Sequence, residues 1–458
     1  MTDDALVIFT PSGKRGRFPH GTPVVLSEAD IWFDDTPVLT AARQLGVDLD
    51  SVCGGRGICS KCQITPGYGE FPKHGVTVTE HALSEWNAVE ERYDRIRGLK
   101  EGRRLGCQAR IMGDVVIDVP PESQVHRQVI RKSATARAIT MDPATHAYYV
   151  EVAEPDMHEP SGDFQRLAAA LKEQWQIEGL EAEPALLRRL QPILRKGEWK
   201  VTVILHRDHH DRPRILDIQP GFWEGRLYGL AIDLGSTTIA AHLCDLRNGN
   251  VLASSGLMNP QIRFGEDLMS RVSYAMMNPG GDREMTNAVR SAINGLAATI
   301  AGEAGIEPRQ IVETVFVCNP VMHHLLLGID PVELGQAPFA LATSESLSIP
   351  ARDLDLDAIH ENARVYVLPC IAGHVGADCA AVALSEEPDK SEEMVLIVDV
   401  GTNAELLCGN RDRVLACSSP TGPALEGAQI SSGQRAAPGA IERVEIDPGT
   451  KEPRFRVI

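Results

Sequence analysis

Four cysteines have the types and spacing to hold iron. The run Cys53-Gly-Gly-Arg-Gly-Ile-Cys59-Ser-Lys-Cys62 sets three thiols as C-x5-C-x2-C, and a fourth stands in Arg104-Leu-Gly-Cys107-Gln. Four thiolates, three crowded on one loop and one distant, suit a [2Fe–2S] cluster and so electron transfer. Gly54, Gly55 and Gly57 fit a loop that must wrap inorganic sulfide, since glycine reaches φ > 0 freely and lets backbone N–H groups point inward. A disulfide framework is disfavoured by the scatter of the other six cysteines and by the absence of a signal peptide. A zinc site usually pairs two C-x2-C knuckles, and only one is present.

The elements around that loop read as strand over 5–10, turn at 11–13, helix over 38–45 closed by Gly46, then a closing strand over 114–119 before Pro120-Pro121. This order predicts a β-grasp sheet over 1–121. The x5 spacing differs from the x4 of plant ferredoxins and resembles vertebrate-type and activator-type ferredoxins. Residues 24–37 read as an insertion without an assigned role.

At 458 residues the chain has room for two to four domains. Hydrophobic content of 43% and charged content of 24% are those of globular protein. The net charge of −18 argues against nucleic-acid or anionic-membrane partners. No run of 18 apolar residues occurs and Met-Thr-Asp-Asp lacks a basic leader, so a cytoplasmic protein is expected. Residues 122–138, rich in Arg, Lys and Ser, read as a linker. Residues 139–224 read as a small α+β unit with strands over 146–152, 199–206 and 214–218 and helices over 164–175 and 183–194. The stretch 206–211, with three His and two Asp, reads as a solvated hairpin loop rather than a metal site, because no further ligand cluster joins it.

A second chemistry begins after Gly225. An apolar strand over 227–233 ends in Asp233, followed by the turn Gly235-Ser236-Thr237 and a returning strand from Thr238. The design recurs with a strand over 394–399, then Gly401-Thr402-Asn403, then a strand from Ala404. Turn N–H groups and hydroxyls can cradle phosphate oxygens, while the strand-end Asp233 or Asp399 holds Mg²⁺ directly or through water. One such hairpin is weak evidence, since Gly and Thr suit any turn. The pair resembles the phosphate-1 and phosphate-2 loops of the actin-like ATPase superfamily.

Further segments, Asn259-Pro-Gln-Ile-Arg-Phe-Gly-Glu-Asp267, Asn319-Pro-Val-Met-His323-His324, Gly373-His-Val-Gly376-Ala-Asp378 and Gly422-Pro-Ala-Leu-Glu426-Gly427, resemble the reductive activators of corrinoid proteins. The resemblance implies a multidomain α+β and α/β chain. It comprises a [2Fe–2S] ferredoxin domain, a linker, a middle domain and an actin-like (RNase H-like) ATPase domain over 225–458, with a first lobe at about 227–394. It implies one-electron, ATP-driven reduction of an inactivated Co(II) corrinoid protein in a methyl-transfer system, fed by a low-potential electron donor. The cluster would sit on Cys53, Cys59, Cys62 and Cys107. Mg-ATP would sit on Asp233, Gly235, Ser236, Thr237, Thr238, Gly401, Thr402 and Asn403, with Asp378 and Asp399 in catalytic roles.

Plainer readings stand beside these. Asp378 also suits a simple helix N-cap, His323 and His324 suit a helix core, and Asn259, Gln261 and Asp267 suit a capped helix start as well as a cleft lining. Cys244, Cys318, Cys370, Cys379, Cys408 and Cys417 read as buried reduced thiols. The acidic run 386–393 reads as a solvated loop. Residues 395–458 are short for a second lobe and lack the family's adenosine loop, so this lobe is expected to be incomplete. Two rival functions remain: an electron-transfer module for another redox enzyme with a silent actin-like docking domain, and a small-molecule kinase with a fused redox sensor. A homodimer is left open, as are the corrinoid protein and the electron donor.

Overall fold

The computed structural model describes residues 4–19, 24–27, 30–32, 36–47, 49, 57, 61–123, 140–158, 160–208, 210–265, 267–422, 439 and 441–457. Cys53, Cys59, most of the 122–138 stretch and residues 423–438 lie outside them.

The N-terminal unit contains β1 (Ala5–Thr10), β2 (Arg15–Phe18), α1 (Val38–Gln44), β3 (Gln63–Gly67), α2 (Ala88–Arg97), β4 (Arg104–Leu105) and β5 (Val115–Asp118). Its five-stranded sheet runs β2-β1-β5-β3-β4. Strands β1 and β2 form a hairpin, whereas β1 and β5 lie parallel, Val7 beside Val115. Val7, Ile8, Phe9, Leu39, Ile64 and Ile117 close one apolar core, each contributing about 1.5–3 kcal/mol of burial. Helix α1 follows Pro37, whose fixed φ suits a helix entrance, and ends before Gly46 at φ +64°. The stretch read as an insertion holds a separate two-stranded hairpin, Val24–Ser27 with Asp30–Trp32.

The small α+β unit is β6 (Thr145–Glu151), α3 (Asp163–Trp175), α4 (Pro184–Lys196), β7 (Lys200–Arg207) and β8 (Pro213–Pro220), in sheet order β6-β7-β8. The expected solvated loop over 206–211 is corrected in part. His206 belongs to β7 and is buried against Thr145, its Nδ1 lying 3.0 Å from that hydroxyl. Asp208 is buried too and accepts Arg212 Nε at 3.0 Å; His209 lies outside the described residues.

The next body has a six-stranded sheet in the order β11-β10-β9-β12-β14-β13. Its elements are β9 (Tyr228–Leu234), β10 (Thr238–Asp245), β11 (Val251–Met258), α5 (Leu268–Met277), α6 (Gly281–Ala304), β12 (Ile311–Cys318), α7 (Pro320–Leu327), β13 (Leu347–Pro350) and β14 (Arg364–Val367). Strands β9–β11 are an antiparallel meander, and β9, β12 and β14 run parallel. Parallel neighbours require crossovers, which α6 and the segment 320–363 supply. Helix α8 (Ala377–Glu386) then leads to a three-stranded sheet of β15 (Val395–Val400), β16 (Asn403–Asn410) and β17 (Arg413–Pro420). Val375, Cys379 and Leu407 pack α8 onto one face of that sheet. The last pair, β18 (Ile441–Ile446) and β19 (Pro453–Val457), forms its own ribbon.

All described cysteines are free, and Cys318, Cys370 and Cys379 are buried as expected. Cys408 and Cys417 are exposed, because they lie on the face of β16 and β17 turned away from α8. No helix among the described residues is long and apolar enough to cross a membrane.

Candidate nucleotide cleft and cluster loop

The turn between β9 and β10 is shaped by what holds its carbonyls. Asn259 Nδ2 donates to Gly235 O at 2.8 Å, Arg271 Nη2 donates to Ser236 O, and Asn259 N–H donates to Thr237 O at 2.9 Å. A trans peptide points its N–H opposite its C=O, so the Ser236, Thr237 and Thr238 amides face away from these supports. Such successive amides form an anion-binding concavity. Gly235 is sterically required: a Cβ there would lie 2.7 Å from Thr238 O. Arg271 is fully buried in this role, with Nε on Gly265 O at 2.9 Å and Nη1 on Gln261 Oε1 at 3.1 Å. Asn259 and Gln261 therefore brace the turn from behind, and Asp267 caps α5 through Ser270 N–H at 2.6 Å.

The turn between β15 and β16 is braced in the same way. Thr421 Oγ1 donates to Gly401 O at 2.8 Å and Gly422 N–H to Thr402 O at 3.0 Å, which directs the Thr402 and Asn403 amides the other way. The two turns meet, for Thr237 Oγ1 and Thr402 Oγ1 share a hydrogen bond of 2.9 Å.

Carboxylates gather beside this junction. Asp378 is the second residue of α8, and the capping position is Gly376, so the N-cap reading of Asp378 is corrected. Gly376 packs so closely on the end of β12 that a Cβ would meet Cys318 O at 2.5 Å. Burial, with the charges of Asp233 and Asp399 adding to it, raises the Asp378 carboxyl to about 6. Asp399 pairs directly with Glu405 across β15 and β16, and Glu405 with Ser418 across β16 and β17. Ser418 Oγ donates to Glu405 Oε1 at 3.0 Å. Burial first, then the Asp378 charge, pushes Glu405 up to about 7. Glu405 was missed in the sequence, although its equal distance with Asp399 from Thr402 signals a hairpin pair. Crowded carboxylates that resist ionisation are what a divalent cation relieves, so these residues fit Mg²⁺ with a phosphate chain.

Cys62 is buried and Cys107 half-buried, and Gly106 N–H donates to Cys62 O at 2.8 Å, setting the two cysteine segments side by side. Gln108 Nε2 lies 3.5 Å from Cys107 Sγ, and amide donors to sulfur tune a cluster's potential. Gly57 holds φ +70°, as the loop reading requires. The two described thiols thus fit a cluster ligand set. Helix α1 joins the segment before Cys107 to the Arg263–Phe264 turn. Leu39 N–H donates to Gly106 O at 2.8 Å. Buried Arg43 donates from Nε to Arg263 O and from Nη2 to Phe264 O at 3.4 Å, and its guanidinium lies 5.0 Å over the Tyr274 ring.

His323 and His324 both lie buried in α7. His324 bonds Pro320 O through Nδ1 at 2.9 Å and accepts Ala342 N–H at Nε2, 3.1 Å. Neither His323 nitrogen has a partner among the described residues.

Fold and site define a mixed α/β multidomain protein ending in a domain of the actin-like superfamily. Family models match in sequence order: the RACo linker region over 134–225, the RACo middle region over 228–391, and the C-terminal domain of RACo, the ASKHA domain, over 393–458. A solved reductive activator for corrinoid, iron-sulfur protein matches at 30% identity and TM-score 0.61, covering 99% of this chain and 69% of that one. The chain belongs to the family of reductive activators of corrinoid proteins. The corrinoid activation enzyme RamQ of Eubacterium limosum is 28% identical over 429 residues, 93% of this chain and 65% of its own length. The [Co(II) methylated amine-specific corrinoid protein] reductase of Methanosarcina barkeri is 28% identical over 224 residues, 47% of this chain and 40% of its own. The chain therefore spans less than two thirds of either curated relative.

Proposed function

We propose that this protein reduces an inactivated Co(II) corrinoid protein to Co(I) by one electron, driven by ATP. The observation that carries the reading is the meeting of the two braced turns at Thr237 and Thr402, in a chain whose cysteine segments connect to the same lobe through α1. Cys53, Cys59, Cys62 and Cys107 would hold the cluster, which when bound supplies a one-electron carrier. Asp233, Gly235, Ser236, Thr237, Thr238, Gly401, Thr402 and Asn403 would hold Mg-ATP, whose hydrolysis supplies the driving force. Each 59 mV of uphill one-electron transfer costs about 1.4 kcal/mol, so a low-potential acceptor needs such coupling.

In this mechanism the amides of Ser236, Thr237 and Thr402 orient the phosphate chain, and the hydroxyl pair closes the turns over it. Asp399 would hold the cation, which when bound supplies charge neutralisation for the phosphate chain, while Asp378, its carboxyl raised chiefly by burial, would orient the attacking water. A change of lobe angle on nucleotide turnover would reach the cluster loop through Arg271, the Arg263–Phe264 turn, Arg43 and α1. The electron-carrier domain over 1–121, the linker over 122–138 and the unit over 139–224 belong to the same proposal, as do a low-potential donor and a corrinoid-protein partner.

The test is anaerobic reconstitution with iron and sulfide. Two irons per chain are expected, with Cys62→Ser and Cys107→Ser each losing the visible cluster bands. Retention of those bands in both variants sinks the ligand assignment.

A further inference from the structure

Helix α2 is built against both described cysteine segments. Its cap, Asn87, accepts Val89 N–H and Glu90 N–H at 3.0 Å each and donates from Nδ2 to Gln108 Oε1 at 3.0 Å. Gln108 in turn places Nε2 3.5 Å from Cys107 Sγ. Val89 closes on the other segment, since a Cβ on Gly57 would lie 2.5 Å from Val89 Cγ1. Buried Glu90 holds Arg104 at 2.6 Å, three residues before Cys107. The first turn of α2 is therefore a wall of the cysteine loop, and its outer surface is close to the half-buried Cys107.

That outer surface is apolar and cationic. Val89, Arg92 and Ile96 stand at i, i+3 and i+7 and so form one stripe along the helix. Ile96 is 64% exposed and Val89 38%, with Trp86, 41% exposed, at the helix entrance. One exposed apolar residue is ordinary, but several grouped beside a reactive centre mark a contact surface. Arg92, Arg95 and Arg97 are exposed and form no ion pair with a described carboxylate. Glu91 and Asp94 fall on the opposite flank from the stripe, and Asp94 Oδ1 accepts Leu99 N–H at 2.7 Å. Over 88–104 six basic residues stand against four acidic ones, although the whole chain carries −18. Charges are screened beyond about 8 Å at physiological ionic strength, so a partner on this face meets the local excess and not the total.

We propose that the Val89–Arg92–Ile96 face of α2 docks the protein that delivers the electron, an acidic one-electron carrier. This rests on the cluster assignment above. One electron passes from the reduced carrier to the oxidised cluster, the carrier is left oxidised by one electron, and no bond forms or breaks. The donor is assigned here because α1, through Arg43, ties this unit to the Arg263–Phe264 turn, whereas the bonds of Asn87, Glu90 and Asp94 stay within the N-terminal unit. A donor that reloads the cluster needs a face independent of the lobe. Small redox encounters of this kind take their rate from charge complementarity.

The experiment uses the full chain with its cluster reconstituted, and an acidic flavodoxin as the probe. Docking is read by fluorescence anisotropy of labelled flavodoxin at physiological ionic strength. Electron delivery is read by stopped-flow bleaching of the cluster bands on mixing with flavodoxin hydroquinone. Arg92→Glu/Arg95→Glu should weaken docking and slow bleaching about tenfold, and Ile96→Ser should shift both in the same direction. Bleaching by methyl viologen radical, a small reductant that needs no docking face, should keep the parent rate in each variant, as should iron content and thermal unfolding keep their parent values. Absence of iron in the parent would fail the cluster assignment instead, and anisotropy would still read the surface. No saturable docking in the parent, docking and bleaching unchanged in both variants, or viologen bleaching slowed equally would overturn the proposal. So would loss of Co(I) formation alone, which gives the face to the corrinoid protein, or a sedimentation change in the variants, which gives it to a second copy of the chain.

Discussion

The hydroxyls of Thr237 and Thr402 stand 2.9 Å apart although 165 residues separate them in the chain. Each closes a glycine-containing turn whose carbonyls are bound from behind, by Asn259 and Arg271 on one side and by Thr421 and Gly422 on the other. If a phosphate chain lies between these turns, Thr402→Val removes a donor without removing bulk. ATP affinity should fall about tenfold, or about 1.4 kcal/mol, as read by titration, with the cluster's absorption unchanged.

The carboxylates beside the turns set a pH dependence. The Asp378 pKa is raised from 3.8 to about 6 in the folded state, chiefly by burial. The unfolded chain releases this proton first, so Asp378 contributes fully to stability below the lower value. That contribution is lost as pH rises through the upper one. Asp378→Asn should therefore unfold at a higher temperature than the parent at pH of about 8, and the gap should close on descent towards about 4. Excess Mg²⁺ should shrink the gap from the alkaline side by stabilising the ionised parent.

His323 offers a test with the opposite pH sign. Burial, with some help from His324, lowers its pKa to about 4, so stability is lost as pH falls from about 6.5 through that range. With neither ring nitrogen partnered among the described residues, His323→Leu removes only a desolvation penalty. It should raise stability by about 1–2 kcal/mol at neutral pH, measured by denaturant unfolding, and flatten the acid limb.

Arg43 ties α1 to the Arg263–Phe264 turn across 220 residues of sequence. Arg43→Gln should loosen the N-terminal sheet from the lobe at a cost of about 1.5–3 kcal/mol in that contact. Small-angle scattering should then show a larger radius of gyration, while iron content stays at the parent level.

Local signals in the sequence carried the strands that bear Asp233 and Asp399 to within a residue at each end, since apolar runs followed by Gly-Ser-Thr or Gly-Thr-Asn set both the hairpin and its position. What depended on register or distant contacts was not legible. Glu405 joins the cleft only because β15 and β16 pair Asp399 with it. Arg271 sits in an ordinary helical run, and its burial follows from the docking of α5 behind the Gly235–Thr237 turn. Asp378 reads as a cap because helix starts favour short acids, but the helix begins one residue earlier at Ala377 and its capping position is Gly376, where only glycine clears Cys318 O.

The most direct measurement follows Co(I) formation when the reduced, reconstituted protein is mixed anaerobically with a Co(II) corrinoid protein, with and without Mg-ATP. The account predicts that Co(I) accumulates only with Mg-ATP, and that Asp399→Asn abolishes this stimulation while leaving the cluster's visible spectrum intact. Equal Co(I) formation with and without nucleotide, or an undiminished response in Asp399→Asn, would contradict it.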